Sequence, residues 1–555
     1  MQNNNAPFYP IIYVRGYAMT EGEQDETTAD PFCGFNLGST VYRATPDKEK
    51  PAKKFIFESP VLRLTTDFGY ADVYENGLDI MDDDWEGTIP PKSIVIYRYY
   101  DQASALLGSG KTPEIAVFAK GLSDLILRVR DLVCSHPNSG VTENDFRCYL
   151  VAHSMGGLVC RAFLQNPALG DDQARRSVDK VFTYATPHNG IEMAGINTPK
   201  WMSVADMKNF NRGYMAEYLN LKDLYNKTKR VDWLPEESFP SNRFFCMVGT
   251  NRDDYQVAMG LSRTFAGHGS DGLVKIENAS VWGITDAGQK SPCATAYAYR
   301  SHSGYFGIVN SEEAYQNLTR FLFGDIRVDI WVDVGAVQLP PDIKSKSVNA
   351  LYQFEMLASP RGKRWYLTRR TSEEDSVACR SHQELIDPAN AGARSICLST
   401  VFLANRSRVN TARPSLAYGM TLGVRVPDYE VERKFWPDGH FEGGYLFRDT
   451  MMVEMTPPQR EGEDWKIIFD WQSKNIGHAS QSLAYEKLRD GKLQMTVPFD
   501  SKSAPGISGQ LRFVVSAWND KTSDSKISTV EARLAGLSAI APLPPFKRNP
   551  PEAIG

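Results

Sequence analysis

Residues 146–164 read FRCYLVAHSMGGLVCRAFL. An apolar run, Cys148–Ala152, passes into His153-Ser154-Met155-Gly156-Gly157 and at once into a helical pattern, Leu158, Val159, Ala162 and Phe163. A strand and a helix this close can be joined only by a very sharp turn. The positions two before and two after its apex must be small, and Ala152 and Gly156 meet that need. The apex residue, Ser154, is then lifted above the sheet on a strained backbone. The helix N-terminus behind it offers unpaired backbone N–H groups. The short pattern alone says little, because average usage of Gly, Ala and Ser gives roughly 0.4 chance matches in a chain of this length. Its position at a strand-to-helix junction carries the weight.

The surrounding sequence has room for such a junction. Up to about Gly324, short β-branched runs at Ile11–Val14, Ser93–Tyr99, Cys148–Ala152, Val181–Ala185 and Phe244–Val248 alternate with helical patterns. The clearest helix is Ile115–Cys134, with Val117, Leu122, Leu125, Ile126, Val129 and Val133 at helical spacing on one side. Such alternation predicts an α/β fold, a mostly parallel sheet flanked by helices. Two insertions interrupt it. Residues 18–91 open with an acidic run that reads as a solvated loop. Residues 190–241 carry Met193, Trp201, Met202, Met207, Phe210, Tyr214, Met215, Tyr218 and Trp233, a composition that suits either a cap or packing onto the core.

At about Asp325 the pattern changes. Val328, Ile330, Val332 and Val334 alternate with Asp329, Trp331 and Asp333, and strand-like runs recur at Leu351–Leu357, Lys466–Trp471, Leu493–Phe499 and Leu511–Trp518. A chain of 555 residues exceeds one ordinary core. The reading is therefore an α/β domain over 1–325, a β-rich, sandwich-like domain over 326–540, and a proline-rich tail over 541–555.

The motif AHSMGG resembles the nucleophile motif of bacterial lipases and esterases of the α/β-hydrolase superfamily, some of which carry Ala where most carry Gly. ATPHNG, SDGLV and SHSGYFGI are similar to further motifs of these proteins. The resemblance covers the first 325 residues or so. It implies Ser154 as nucleophile and the chain order Ser, acid, His. His136 and His153 precede Ser154, and His382, His440 and His478 fall in the β-rich part, leaving His188, His268 and His302. His302 lies between a strand-like run, Ala294–Tyr299, and the last helical pattern, Glu312–Phe323, where this fold places its base. His188, in ATPHNG, is expected to shape its loop. Asp271, in Asp271-Gly272-Leu273-Val274, resembles the family's acid; Asp253 and Asp254 are the rivals. The oxyanion donors implied are the backbone N–H groups of Tyr17 and Met155. Arg15 departs from the family's usual His before Gly16.

The net charge of −5 gives no reason to expect nucleic acid as a partner. The start, MQNNNAPFYPIIYVRGYAMT, has no basic n-region or long apolar h-region and reads as no cleavable signal, unless it is a trimmed mature end. No apolar run reaches bilayer length, so a soluble chain, at most in contact with a lipid surface, is expected. The eight cysteines show no metal-ligand spacing and leave a Cys246–Cys293 bridge open. Neither metal nor organic cofactor is expected. The substrate expected is an ester, with Met207 and Phe210 lining an acyl pocket if residues 190–241 form a cap. A phospholipase or thioesterase would use the same residues, and a lipid- or glycan-binding role led by the β-rich part is the reading from another class.

Overall fold

The protein is described by a computed structural model, in which residues 7–16, 40–43, 53–56, 60–73, 80–81, 85, 87–97, 99, 114–191, 209–252, 269–303, 307–408, 410, 412, 415–431, 439–456, 466–474 and 481–519 are described. Seven strands form the first sheet: β1 (Ile11–Val14), β2 (Ala71–Asp72), β3 (Ser93–Tyr97), β4 (Cys148–His153), β5 (Val178–Tyr184), β6 (Phe244–Gly249) and β7 (Ala294–Ala298). Their spatial order is β7-β6-β5-β4-β1-β3-β2, and every neighbouring pair is parallel. After β3 the chain crosses β1 to lay down β4. This is the switch point of a doubly wound sheet, where loops from the carboxyl ends of adjacent strands diverge and leave a crevice. Helices cover both faces. Ile12 and Val14 face a core shared with α2 (Ile115–Cys134) and α3 (Met155–Gln165), while Ile11 and Tyr13 face one shared with α1 (Pro60–Phe68) and α4 (Glu312–Phe323). Strands buried on both faces need apolar residues at every position rather than every second one, which is why these runs are continuous. The arrangement is an α/β-hydrolase core.

One detail of the helical pattern is corrected. The buried stripe of α2 runs Ile115, Phe118, Leu122, Leu125, Ile126, Val129 and Val133. Val117, expected on that side, is 48% exposed, because it sits about 100° around the helix from Phe118.

Helix α4 is capped by the Ser311 hydroxyl, which accepts Ala314 N–H at 3.2 Å, and carries Glu312 and Glu313 in its first turn, where they favour the positive end of the helix dipole. It leads directly into β8 (Ile326–Gln338). Two antiparallel sheets follow. Five strands lie in the order Ser395–Leu403, β8, Gly506–Ala517, Leu493–Asp500, Tyr485–Lys487. The other sheet has seven strands and is dominated by Val348–Pro360, Leu416–Val431 and Gly439–Thr456. Inward side chains of both, among them Ile330, Val332, Phe354, Met356, Leu422, Val424 and Val497, share one core, as expected of a sandwich.

The β-rich region is packed onto the first sheet. Phe321 of α4, Phe402 and Trp518 form an aromatic cluster with Phe245 of β6, with ring centroids 4.9–5.8 Å apart. Trp518 Nε1 donates to Phe321 O at 2.6 Å. The edge strand β7 is covered in part by side chains of this region: Ser399 Oγ donates to Thr295 O at 2.8 Å, and Tyr297 N–H donates to Thr368 Oγ1 at 3.3 Å. No described helix is long and apolar enough to cross a membrane. Cys246 and Cys293 are both free thiols, so the bridge left open by the sequence is not formed.

The two sides of α2 make separable expectations. Leu122→Ala should lower stability by about 2–5 kcal/mol. Val117→Ala should change it by less than about 0.5 kcal/mol. Shifts in the chemical unfolding midpoint measure both.

Candidate active site

Strand β4 is buried along its whole length and ends at His153. Ser154 follows at φ 52°, ψ −125°, and α3 begins at the next residue. Positive φ is unfavourable for a serine, and it persists only where surroundings hold it. Ser154 N–H donates to Tyr184 O of β5 at 2.9 Å, and Ser154 O accepts Gly157 N–H at 3.0 Å. The end of β1 approaches so closely that side chains are excluded. A Cβ on Gly156 would lie 2.3 Å from Val14 O, and one on Gly16 would lie 2.6 Å from Ser154 Cβ. The Ser154 side chain caps no helix N–H, so its hydroxyl is available for another partner.

That partner is His302, in the loop after β7. Its Nε2 lies 2.9 Å from Ser154 Oγ, and its Nδ1 lies 2.9 Å from Asp271 Oδ2. The other carboxylate oxygen of Asp271 accepts Val274 N–H at 2.8 Å and Leu273 N–H at 3.0 Å. An ionised carboxylate can only accept, so Nδ1 carries the proton and Nε2 presents its lone pair to the serine hydroxyl. The histidine is tied to the same residue by its backbone too, His302 N–H donating to Asp271 O at 2.9 Å. Ser154, Asp271 and His302 are all buried. The sequence therefore named three residues, drawn from three separate loops, that the fold brings into one hydrogen-bonded line. Met155 is the first residue of α3, where backbone N–H groups lack intrahelical partners.

The remaining candidates divide. Tyr17, Met207, His268, Asp253 and Asp254 lie outside the described residues, as do Met193, Trp201, Met202 and the tail 541–555. Phe210 is buried and belongs to the core beneath α3, together with Met215, Tyr218 and Leu219 of the same insertion. His188 is buried with Nε2 3.2 Å from Thr183 Oγ1, and burial holds its imidazole well below the usual histidine range. Among the described residues no cluster of three or more His, Cys, Asp or Glu could hold a metal ion.

Two residues escaped the sequence reading. His153 is buried beside His302, with ring centroids 5.0 Å apart, and its Nε2–H donates to His302 O at 2.8 Å. Burial, followed by repulsion from His302, pushes it well below the ordinary histidine value, so it stays neutral. It braces the loop that carries His302; its place just before the serine was the only signal. Arg161 of α3 is fully buried. It donates to His188 O at 2.9 Å, Val231 O at 2.8 Å, Trp233 O at 2.7 Å and Gln165 Oε1 at 2.8 Å. Burial lowers it to about 10, which leaves it charged at neutral pH. It clamps the ATPHNG turn and the end of the insertion onto the helix that follows Ser154.

No family model matches the chain, and no curated relative matches it. Among solved structures the chain is similar to the Bacillus licheniformis lipase BlEst2 in mature form, at 13% identity and a TM-score of 0.28 over 58% of this chain and 94% of that one. It is also similar to the lin2722 gene product from Listeria innocua, at 12% identity and a TM-score of 0.24 over 57% of this chain and 94% of that one. The fold assignment rests on strand order and register, and likenesses this distant add nothing to it.

Arg161→Met should cost about 2 kcal/mol or more, since it leaves the buried carbonyls of His188 and Val231 without their donor at ~1–3 kcal/mol each, while Trp233 O keeps Gln165 Nε2 at 3.2 Å. A denaturant titration of the variant checks this.

Proposed function

We propose that the chain is a serine-dependent carboxylic ester hydrolase. The observation that carries the reading is the line Ser154 Oγ to His302 Nε2 at 2.9 Å and His302 Nδ1 to Asp271 Oδ2 at 2.9 Å, headed by a serine at positive φ at the switch point of the sheet. A neutral serine hydroxyl is a poor nucleophile, and a base within hydrogen-bond reach corrects that. Ser154 Oγ attacks the ester carbonyl carbon while His302 Nε2 takes its proton. Asp271 holds the imidazole in the tautomer required and stabilises the cation that forms. His302 then protonates the leaving alcohol, and an acyl group remains on Ser154. Water, activated by the same imidazole, attacks the acyl-enzyme and releases the acid.

The tetrahedral intermediate carries its negative charge on the former carbonyl oxygen. In this proposal Met155 N–H, at the start of α3, meets that charge with the help of the helix dipole. Tyr17 N–H is the second donor in this proposal, on the strength of the sequence resemblance alone. The substrate class proposed is an ester with an acyl chain. Phospholipase and thioesterase chemistry would use the same atoms, and nothing in the triad distinguishes them. Burial of Phe210 in the core favours a packing role for the second half of the 190–241 insertion, so the acyl pocket is not assigned to that side chain.

Ser154→Ala should abolish both ester hydrolysis and labelling by a fluorophosphonate probe, with the unfolding midpoint preserved. Labelling that survives in Ser154→Ala would remove the nucleophile from the proposal. Asp271→Asn should lower kcat by roughly 10⁴-fold, the scale of the serine protease case. A mild effect there would mean another group orients His302.

A further inference from the structure

The loop 371–376 of the β-rich region reaches the base of the candidate active site, and its own architecture is fixed without help from that site. Its neck is closed by Thr371 N–H donating to Ser376 Oγ at 2.8 Å and Ser376 N–H donating to Thr371 O at 3.1 Å. Arg370 spans from Ser376 O, at 2.8 Å, to Leu398 O, at 3.0 Å. From inside the sandwich, the buried carboxylate of Glu355 accepts Ser372 N–H at 2.9 Å, Ser372 Oγ–H at 2.6 Å and Tyr445 OH at 3.0 Å. Asp375 turns the chain at φ 50°.

The tip of this loop meets the loop that carries Asp271 at two places. Glu374 Oε2 lies 3.1 Å from the hydroxyl of Thr250, the residue directly after β6. A Cβ on Gly269, two residues before Asp271, would lie 3.5 Å from Asp375 O. Between these points the spacing is tight. A Cβ on Gly249 would lie 2.9 Å from Asp271 Cβ. Thr250 N–H donates to Ala298 O at 3.0 Å and Asn251 N–H to Arg300 O at 3.1 Å, so the same residues brace the strand end that leads to His302.

Glu374 is only 8% exposed, and Arg369 Nε lies 2.5 Å from its Oε1. Its ionisable neighbours are Arg369 and Glu373; burial pushes its carboxyl up, while Arg369 and the Thr250 hydroxyl act against that. A buried carboxylate is a costly way to fill space, and an apolar side chain would do so more cheaply. What it adds is direction: the Thr250 hydroxyl lies 3.1 Å from Glu374 Oε2 and 3.2 Å from Ala298 O, so that Glu374, Thr250 and the end of β7 meet at one oxygen.

We propose that Glu374, presented by the β-rich region, is a positioning residue that sets the Asp271 loop against the strand end carrying His302, so that the β-rich region is a working part of the ester-cleaving site. The inference rests on the triad reading. Catalytic groups displaced by about 1 Å lose up to ~10²-fold in rate, so a brace at the root of both loops is read out in kcat.

The test uses the full chain, p-nitrophenyl acetate as substrate, and Ser154→Ala as the control. Glu374→Ala is expected to lower kcat roughly 10–100-fold with KM unchanged, at an unfolding midpoint that leaves the protein fully folded under assay conditions. Glu374→Gln keeps an oxygen acceptor for Thr250 and is expected to restore most of kcat. Thr250→Val is expected to mimic Glu374→Ala, and the double variant to be no worse than the worse single, as for two partners in one contact. Should Glu374→Ala not fold, Thr250→Val carries the same expectation. Wild-type kcat in the folded Glu374→Ala or Thr250→Val variant, or losses that multiply in the double variant, would overturn the inference while leaving the triad standing. Hydrolysis that survives in the Ser154→Ala variant would bring down the triad reading, and this inference with it.

Discussion

Ser154 sits at φ 52°, ψ −125° because the two elements that flank it cannot move. All six residues of β4 and all eleven of α3 are buried. The turn is pinned to β5 through Ser154 N–H and Tyr184 O. A strained residue of this kind costs on the order of 1–3 kcal/mol, which the packing of a whole strand and helix easily exceeds. The rest of the site follows from that placement. With the hydroxyl lifted above the sheet, His302 need only arrive from the loop after β7 and Asp271 from the loop after β6, both at the carboxyl edge where a parallel sheet opens. Arg161, on the same helix, ties three carbonyls of neighbouring loops to α3 and so makes the crevice wall part of one buried unit.

The second dependence is between the two halves of the chain. Phe245, Phe321, Phe402 and Trp518 form one aromatic cluster across the boundary, with contributions from β6, α4 and the β-rich strands. Lys180, buried at the start of β5, donates to Leu322 O at 3.0 Å, and burial lowers it to about 8. Side chains of the β-rich region lie against the edge strand β7, which would otherwise expose unpaired backbone groups. A sandwich attached by a flexible linker would have no reason to meet the first sheet in this way. The proximity of the 371–376 loop to Thr250 and Gly269 is the part of this contact nearest the proposed chemistry.

The sequence made the first half legible because local pattern and burial agree there. Continuous apolar runs correspond to strands buried on both faces, and Ile11–Val14, Ile115–Cys134 and Glu312–Phe323 keep their expected limits. Ser154, Asp271 and His302 could be named because each sits in a short motif that resembles one of a known family. His153, Arg161 and Glu374 could not, since their partners are backbone carbonyls or residues far away in the chain, and no local pattern encodes such pairs. In the second half the two longest strands, Leu416–Val431 and Gly439–Thr456, carry Gly419, Gly423, Pro427, Gly443 and Gly444. Gly and Pro read as strand breakers. The inward alternation Leu416, Leu422, Val424, Val426 is present, but Pro427 shifts its phase, so that Tyr429 and Val431 become the buried positions. The same interruption that hides these strands from the sequence is tolerated in the sheet by a change of register against Val348–Pro360, where Ala350 pairs with Tyr429 but Gln353 pairs with Arg425.

The central claim is that an acyl group is carried by Ser154 during turnover. Rapid acid quenching of the protein with p-nitrophenyl butyrate, tryptic digestion and mass analysis test it directly, because cleavage after Arg147 and Arg161 isolates the peptide Cys148–Arg161. The account predicts a butyryl adduct on that peptide, located at Ser154 and formed at the rate of the p-nitrophenol burst. Steady turnover with an unmodified Cys148–Arg161 peptide at every quench time, or an adduct on another residue, would contradict it.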